Sequence, residues 1–171
     1  MTAVFMLCLT MLAAGGAPEW PVFPAKPKAT GGGAKDAAVV VGVSDYTRLP
    51  DIQGATRNSV DWYNYFTKVR KVPATRVALL EDADATPRKI RAALMNAVSD
   101  VGKDGTLWFV FIGHGAPTKD GNDGVLVGVD AHADELDFYP HTLVRSELLG
   151  LTKWEIPRLC RGGIHCLTIP G

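Results

Sequence analysis

A histidine placed between two glycines is the side chain in this sequence best suited to proton transfer. Gly113, His114 and Gly115 follow directly after the apolar run Thr106–Ile112. An imidazole titrates near neutrality, as a general base must, and flanking glycines let the backbone turn sharply and bring an N–H close to a substrate oxygen. The motif could therefore supply a base and one oxyanion donor, although a surface histidine in a glycine turn has the same pattern.

Two cysteines near the C-terminal end could supply a nucleophile for such a base. Cys160 lies 46 residues after His114, and Cys166 lies six residues further along. They make neither a disulfide framework nor a zinc site, which needs four ligands at characteristic spacing. The residues before Cys160 include Pro157 and three charges, where a buried strand would be needed to aim a thiol. Cys160 is therefore a candidate nucleophile whose alternative is an ordinary tail cysteine, and Cys166 is placed less well.

Strand and helix patterns alternate along the part of the chain that would position His114. Ala37–Val43 is a valine-rich run, typical of a strand buried on both faces. The long connections between strands force parallel pairing, with helices packed on the sheet. The pattern predicts an α/β fold with a mostly parallel sheet, in which ligands bind at the carboxyl ends of the strands. The predicted elements are strands at Ala37–Val43, Arg76–Leu80, Thr106–Ile112 and Val125–Val129, a helix carrying Val60, Tyr63, Phe66 and Val69 and ending at Pro73, a helix that begins at Thr86-Pro87 and buries Ile90, Ala93, Leu94, Ala97 and Val98, and a helix at Leu143–Leu151.

The first 35 residues have the composition of a leader and a linker. Residues 3–14 are almost unbroken apolar and precede small residues, which favours a secretory signal peptide over 1–17 and is too short for a membrane span of about 20 residues. Residues 18–35 are rich in Pro and Gly, as linkers are. We therefore expect a domain over 36–151 and no stable membrane anchor. The protein would be secreted or periplasmic if the leader is a signal peptide, and cytoplasmic otherwise.

The charge balance argues against several classes of partner and cofactor. Eighteen Lys and Arg are matched by eighteen Asp and Glu, without a block of like charge. Such a chain is not attracted to phosphate backbones or anionic lipid, so we expect no nucleic-acid partner. Asp120, Asn122 and Asp123 have neither the spacing nor the closing Glu of a calcium loop. We expect a polar turn there, no bound metal and no cofactor.

Four segments, in the right order, carry a resemblance to a known family. They are Val39–Tyr46 with Leu49-Pro50 and Gly54–Asn58, then Asp82–Pro87 with the helix after it, then Phe109–Pro117, and finally Asp120–Gly124 with Val129–Ala131. Over about 36–151 the chain resembles the caspase and metacaspase clan of cysteine peptidases. The resemblance implies a three-layer caspase-hemoglobinase fold and a Cys-His dyad that hydrolyses peptide bonds in proteins. It makes His114 the base and the Gly115 N–H an oxyanion donor, without a metal in bond cleavage, although some metacaspases respond to calcium.

The resemblance is incomplete at the nucleophile. Members of this clan carry the cysteine after a further apolar strand, in caspases within Q-A-C-[RQG]-G about 50 residues after the histidine. Cys160-Arg161-Gly162 fits that spacing and part of that string. The family's later strands have no counterpart after Cys160, so we expect that the C-terminal part of the fold is missing and that 152–171 is an atypical tail from a truncation or frameshift. The alternative function is a catalytically incomplete pseudopeptidase or fragment that acts, if at all, as a protein-binding module.

Substrate preference depends on residues near the start of the first helix. In metacaspase-like members an acidic residue there helps to receive a basic side chain. The comparable positions are Asn58 and Ser59, so the acid is absent or shifted to Asp61. Caspases use an arginine to receive an acidic residue, and Arg57 is near but cannot be assigned that role. The resemblance favours a basic residue at the cleaved bond and leaves an acidic one open.

Overall fold

The structure, a computed structural model, describes residues 29–134 and 138–148, and the backbone of 165–169. The expected leader, most of the expected linker and Cys160 lie outside these residues. In chain order the elements are β1 (Ala37–Gly42), α1 (Ala55–Asn64), β2 (Val77–Glu81), α2 (Pro87–Asp100), β3 (Leu107–Ile112), β4 (Gly115–Pro117), β5 (Gly124–Val127), β6 (Thr142–Val144) and β7 (His165–Ile169). The central sheet has the strand order β2-β1-β3-β7 with every pair parallel. The predicted α/β class with a parallel sheet is confirmed.

Alternate side chains of β1 enter two apolar cores, one on each face of the central sheet. Val39 and Val41 pack in one core with Ile90 of α2. Val40 packs in the other with Phe66, which follows α1. Successive side chains of a strand point to opposite faces, so a strand that is apolar throughout needs a helix on each side. The helices and the sheet therefore form three layers.

The helix predicted before Pro73 changes type partway along. α1 ends at Asn64 and continues as a π-helical turn at Tyr65–Val69, in which the Arg70 N–H donates to the Tyr65 carbonyl at 3.0 Å. Phe66 and Val69 are buried as predicted, but Val60 is 39% exposed. At 3.6 residues per turn, side chains three residues apart drift by about 60° per step around the helix. The three-residue spacing of apolar side chains therefore does not stay on one face, and Val60 is turned away from the face that carries Phe66.

A second sheet, antiparallel and in the order β4-β5-β6, follows β3. The strand predicted at Val125–Val129 is present as β5, whereas β4 and β6 were not predicted. The prediction of a helix at Leu143–Leu151 was wrong at its start, because Leu143 lies in β6 and only residues 145–148 are helical in the described part. Leu143 pairs with Leu126, and both are buried. This pairing outweighs the local helical pattern.

β7 lies within the segment that the sequence predicts to be an atypical tail. It runs parallel to β3, with Phe109 opposite Cys166 and Ile112 opposite Ile169. A five-residue strand beside Gly, Pro and Cys gives little local signal, and strand formation depends strongly on the neighbouring strand. The open edge of β3 supplies that neighbour.

The expected linker ends earlier than Lys35. The N–H groups of Thr30 and Gly31 donate to the Val69 carbonyl at 3.0 Å, and Gly33 N–H donates to the Arg70 carbonyl at 2.8 Å. These bonds attach residues 30–33 to the end of the π turn. The packed region therefore begins about six residues before the boundary expected from composition.

Candidate functional site

His114 lies at the carboxyl edge of the central sheet, separated from the end of β3 by Gly113 alone. The connection from β1 leads to β2 on one side, and the connection from β2 crosses to β3 on the other. The edge between β1 and β3 is thus the point where the winding direction reverses, which is where open α/β sheets bind ligands. The His114 side chain is half-buried there. Its position agrees with the edge location predicted from the strand pattern.

The imidazole of His114 is held by a backbone carbonyl. Its Nε2 lies 2.8 Å from the Pro50 carbonyl oxygen. A carbonyl can only accept a hydrogen bond, so this contact places the proton on Nε2 and the lone pair on Nδ1. The loop that supplies Pro50 is closed by the Ile52 N–H, which donates to the Ser44 carbonyl at 2.9 Å. Nδ1 is therefore the nitrogen that can take a proton from a substrate or a nucleophile.

Tyr46 packs beside His114 and is 6% exposed. The two ring centroids are 4.7 Å apart. The Tyr46 hydroxyl accepts a bond from the His114 N–H at 2.8 Å and donates to the Val127 carbonyl at 3.2 Å. Burial disfavours the phenolate and raises the pKa of Tyr46 to about 12, although the bond from the His114 N–H partly opposes this rise. The hydroxyl is therefore protonated at neutral pH, and its one proton is used in the bond to the Val127 carbonyl.

The Gly115 N–H points away from the second sheet. The Val127 N–H donates to the His114 carbonyl at 3.0 Å, and Gly115 is the residue opposite Leu126. In antiparallel ladders, hydrogen-bonded pairs alternate with pairs whose N–H and C=O groups point outward. Gly115 belongs to the second kind, and it is exposed. This is the orientation that an oxyanion donor needs.

Asp82, directly after β2, ties down the loop that holds the imidazole. Its Oδ1 accepts the Ser44 N–H at 2.7 Å and the Asp45 N–H at 3.0 Å. The Ser44 hydroxyl in turn accepts the Thr56 N–H at 3.0 Å, at the start of α1. The ends of β1 and β2 and the first turn of α1 are thus joined. Asp82 lies in one of the segments that carry the family resemblance, but its residue type alone did not predict this contact.

The positions considered for substrate preference lie in different surroundings. Ser59 is fully buried, with its Oγ 2.6 Å from the Thr56 carbonyl and 2.8 Å from Glu81 Oε1. A Cβ on Gly42 would lie 2.6 Å from Ser59, so α1 packs closely on β1 at this point. Ser59 is therefore a packing residue. Arg57 and Asp61 are exposed, Asn58 is half-buried, and Glu81 is an acid near Ser59 that the sequence did not indicate.

Of the two candidate cysteines, only Cys166 lies within the described residues, and Cys160 lies outside them. Cys166 pairs with Phe109, five residues before His114, which is a separation of about 16 Å along the strand. Direct proton transfer between Cys166 and His114 is excluded by that distance.

Other features of the described residues bear on the remaining sequence predictions. The 120–124 segment is a polar turn, in which Asp120 accepts bonds from the Thr118 hydroxyl at 2.6 Å and the Asn122 N–H at 3.2 Å. Within 29–134 and 138–148, no group of three or more His, Cys, Asp or Glu could hold a metal ion. No helix of that part is long and apolar enough to cross a bilayer. A cavity of about 500 Å³ beside the second sheet is lined by both uncharged and charged side chains, the charged ones including the Arg91–Glu147 ion pair.

Comparison with known proteins gives the fold and little more. No family model matches the sequence, and no curated protein matches it. The chain is similar in structure to the crystal structure of protein GSU0716 from Geobacter sulfurreducens, with a TM-score of 0.55 and 16% sequence identity. The match covers 78% of this chain and 48% of that one, so this chain spans about half the length of its structural neighbour. Similarity at this level supports the α/β fold alone.

Proposed function

We propose that this chain carries the histidine side of a caspase-like cysteine endopeptidase site, in a caspase-hemoglobinase type of fold. The observation that carries the proposal is the arrangement at the end of β3. His114 has its Nε2 on the Pro50 carbonyl at 2.8 Å, and the outward-pointing N–H of Gly115 follows directly. A base and an oxyanion donor on consecutive residues are two of the three parts that thiol-dependent acyl transfer needs.

The proposed reaction uses these parts in order. A cysteine thiol gives its proton to Nδ1 of His114, and the thiolate attacks the carbonyl carbon of the peptide bond. The Gly115 N–H stabilises the oxyanion that forms. The intermediate then collapses, and the leaving amine takes the proton from Nδ1. Water, deprotonated by the same nitrogen, hydrolyses the thioester and restores the thiol.

The register of β7 bears on which cysteine could act as the proposed nucleophile. Its last residue, Ile169, is level with Ile112, so a cysteine that follows β7 would lie beside His114. For Cys160 the reach is short: His165 pairs with Trp108, about 20 Å before His114 along the strand. The five residues from Cys160 to His165 span at most about 18 Å. The register therefore favours a nucleophile after β7 over Cys160.

The same register supports a second candidate function for the 171 residues taken alone. If no cysteine reaches His114, the chain is a pseudopeptidase that binds a protein or peptide at the carboxyl edge of its sheet without cleaving it. The two functions share the site and differ only in turnover. Both involve a polypeptide partner.

Labelling with a thiol-reactive peptide inhibitor separates the two functions. We propose to treat the 171-residue chain, and a chain extended by the codons that follow Gly171 at the locus, with inhibitors ending in Arg, Lys or Asp. The peptidase proposal expects a cysteine in at least one chain to be labelled, faster with Arg or Lys. Mass spectrometry identifies the cysteine, and Cys160→Ser tests that candidate directly.

His114→Ala should slow this labelling at least about a hundredfold, because the thiol loses the base that activates it. His132→Ala, which changes a half-buried histidine after β5, is the matched control and should label at the wild-type rate. Equal labelling of the His114→Ala and wild-type chains would contradict the peptidase proposal. Inhibitor binding without labelling of either chain would favour the pseudopeptidase.

A further inference from the structure

We infer that Tyr46 is the positioning residue of this site, because its hydroxyl sets the backbone of His114 and with it both the imidazole and the Gly115 N–H. The inference deepens the proposed function, and its kinetic readout rests on that function. Its structural readout does not depend on any activity.

The Tyr46 hydroxyl replaces one rung of a β-ladder. A hydrogen-bonded antiparallel pair normally exchanges two N–H to C=O bonds. Between His114 and Val127 one of these is present, with the Val127 N–H donating to the His114 carbonyl at 3.0 Å. The reciprocal bond is made through Tyr46, which accepts from the His114 N–H at 2.8 Å and donates to the Val127 carbonyl at 3.2 Å. The inserted oxygen therefore sets the spacing where the chain passes from the first sheet to the second.

Gly113 is part of the same arrangement. A Cβ on Gly113 would lie 2.6 Å from the Tyr46 hydroxyl and 2.8 Å from the Phe111 ring. Real Cβ atoms do not approach other atoms that closely, and Phe111 is itself fully buried. The glycine before His114 thus leaves room for the phenol.

Tyr46 is also fixed on its own side of the site. Its N–H donates to Asp51 Oδ1 at 3.2 Å, and the next residue, Thr47, donates its N–H to the Val129 carbonyl at 3.1 Å. Pro50 lies in the same loop and holds the imidazole Nε2. Tyr46 therefore packs against the His114 ring and bonds the His114 backbone. The loop that carries Tyr46 also supplies the Pro50 carbonyl that the ring bonds.

Loss of the hydroxyl would affect the chemistry through geometry. The His114 N–H and the Val127 carbonyl would either take up a water or close to a direct bond of about 2.9 Å. Direct closure would draw His114 towards β5 and lengthen its contact with Pro50. A displacement of about 1 Å at a catalytic group can cost on the order of a hundredfold in rate.

The test compares Tyr46→Phe with Tyr63→Phe in the full chain. Tyr63 is a half-buried tyrosine of α1 that packs against the core on the other face of the sheet. NMR measures hydrogen exchange at the His114 amide and the nitrogen shifts of its imidazole across a pH titration. For Tyr46→Phe we expect a changed tautomer ratio or titration curve of the His114 ring. If water replaces the hydroxyl, the His114 amide should also exchange at least about tenfold faster, whereas direct closure onto Val127 would keep the amide protected and change the ring signals alone. Tyr63→Phe should change neither. In an active chain, kcat should fall at least about tenfold with little change in KM.

Each outcome decides the inference. If Tyr46→Phe leaves the amide and ring signals of His114 as they are in Tyr63→Phe, the inference is wrong, even if stability falls. If Tyr46→Phe does not fold, hydrogen exchange at the His114 amide of the wild-type chain tests the inference instead. Protection of the His114 amide at the level of the β3 amides supports the inference, and exchange as fast as at exposed Lys119 overturns it. If the NMR signals respond as expected but the chain has no activity, the peptidase proposal is contradicted and the inference about Tyr46 stands.

Discussion

The two ends of the central sheet are both held by polar side chains, but in different ways. At the amino end, Asp36 is 4% exposed and all its bonds are internal. Its carboxylate accepts the Thr106 N–H at 2.9 Å, the Trp108 Nε1–H at 2.9 Å and an Arg70 N–H at 3.0 Å. At the carboxyl end, Tyr46 bridges two backbone groups and His114 keeps a half-buried ring with one carbonyl partner. The amino end buries the paired charge of Asp36. The carboxyl end fixes the backbone of His114 and leaves its ring accessible.

Under the proposed function, the amino end serves stability and the carboxyl end serves chemistry. A buried charge is tolerated when it is paired and fully hydrogen-bonded, and breaking such a set is costly. A general base needs access and a free lone pair, so only its backbone and one ring nitrogen can be fixed. Mutations at the amino end should therefore change the free energy of unfolding. Mutations at the carboxyl end should change mainly the hydrogen bonding and the reactivity of His114.

The largest effect is expected for Asp36→Ala. Removal of the carboxylate leaves a guanidinium and two N–H groups without their acceptor, so the free energy of unfolding should fall by about 3–5 kcal/mol. Urea denaturation measures it, and Asp100→Ala, at an exposed position on α2, should stay within about 0.5 kcal/mol of wild type. The NMR signals of His114 should be unchanged in the folded variant. A shift of those signals would show that the two ends are coupled.

A somewhat smaller effect is expected for Gly115→Pro. Proline removes the outward-pointing N–H without breaking a ladder bond, so kcat should fall by about 10²–10³ if that N–H holds an oxyanion. Gly115→Ala keeps the N–H, and its Cβ would approach the Val125 carbonyl only to 3.5 Å, so we expect a loss of less than about tenfold. Peptide hydrolysis or inhibitor labelling measures both. Equal losses would rule out the donor role.

The smallest effect is expected from ionisation of Tyr46. Burial raises the pKa of Tyr46 from 10.0 to about 12. Because the folded protein favours the protonated phenol, this stabilisation is present below about pH 10 and is lost as the pH rises through 12. Urea denaturation of wild type and Tyr46→Phe from pH 9 to 12 measures it. The stability of the wild type should decline more steeply than that of the variant, and parallel curves would contradict the burial of this hydroxyl.

Local sequence patterns predicted the helices and strands that can be recognised without knowing which element packs against them. The valine-rich run at β1, the aromatic run at β3 and the Thr86-Pro87 start of α2 each identify an element by residue type. Thr86 Oγ1 does accept the Lys89 N–H, at 3.4 Å, as a helix cap should. β6 and β7 were missed because a short strand is stabilised by the strand beside it.

For the candidate site, the sequence by itself determined that an α/β sheet would end in Gly113-His114-Gly115 at its carboxyl edge, because strand periodicity and connection length are local properties. The tertiary structure alone decided what surrounds that histidine. Pro50 lies 64 residues before His114 and Tyr46 lies 68 residues before it. Every residue has a backbone carbonyl, so nothing in the sequence marks that of Pro50 as the partner of the ring. The Tyr46 hydroxyl acts by filling a gap between the backbones of His114 and Val127. Residue types do not encode such contacts, since they exist only once the folded backbone brings the groups together.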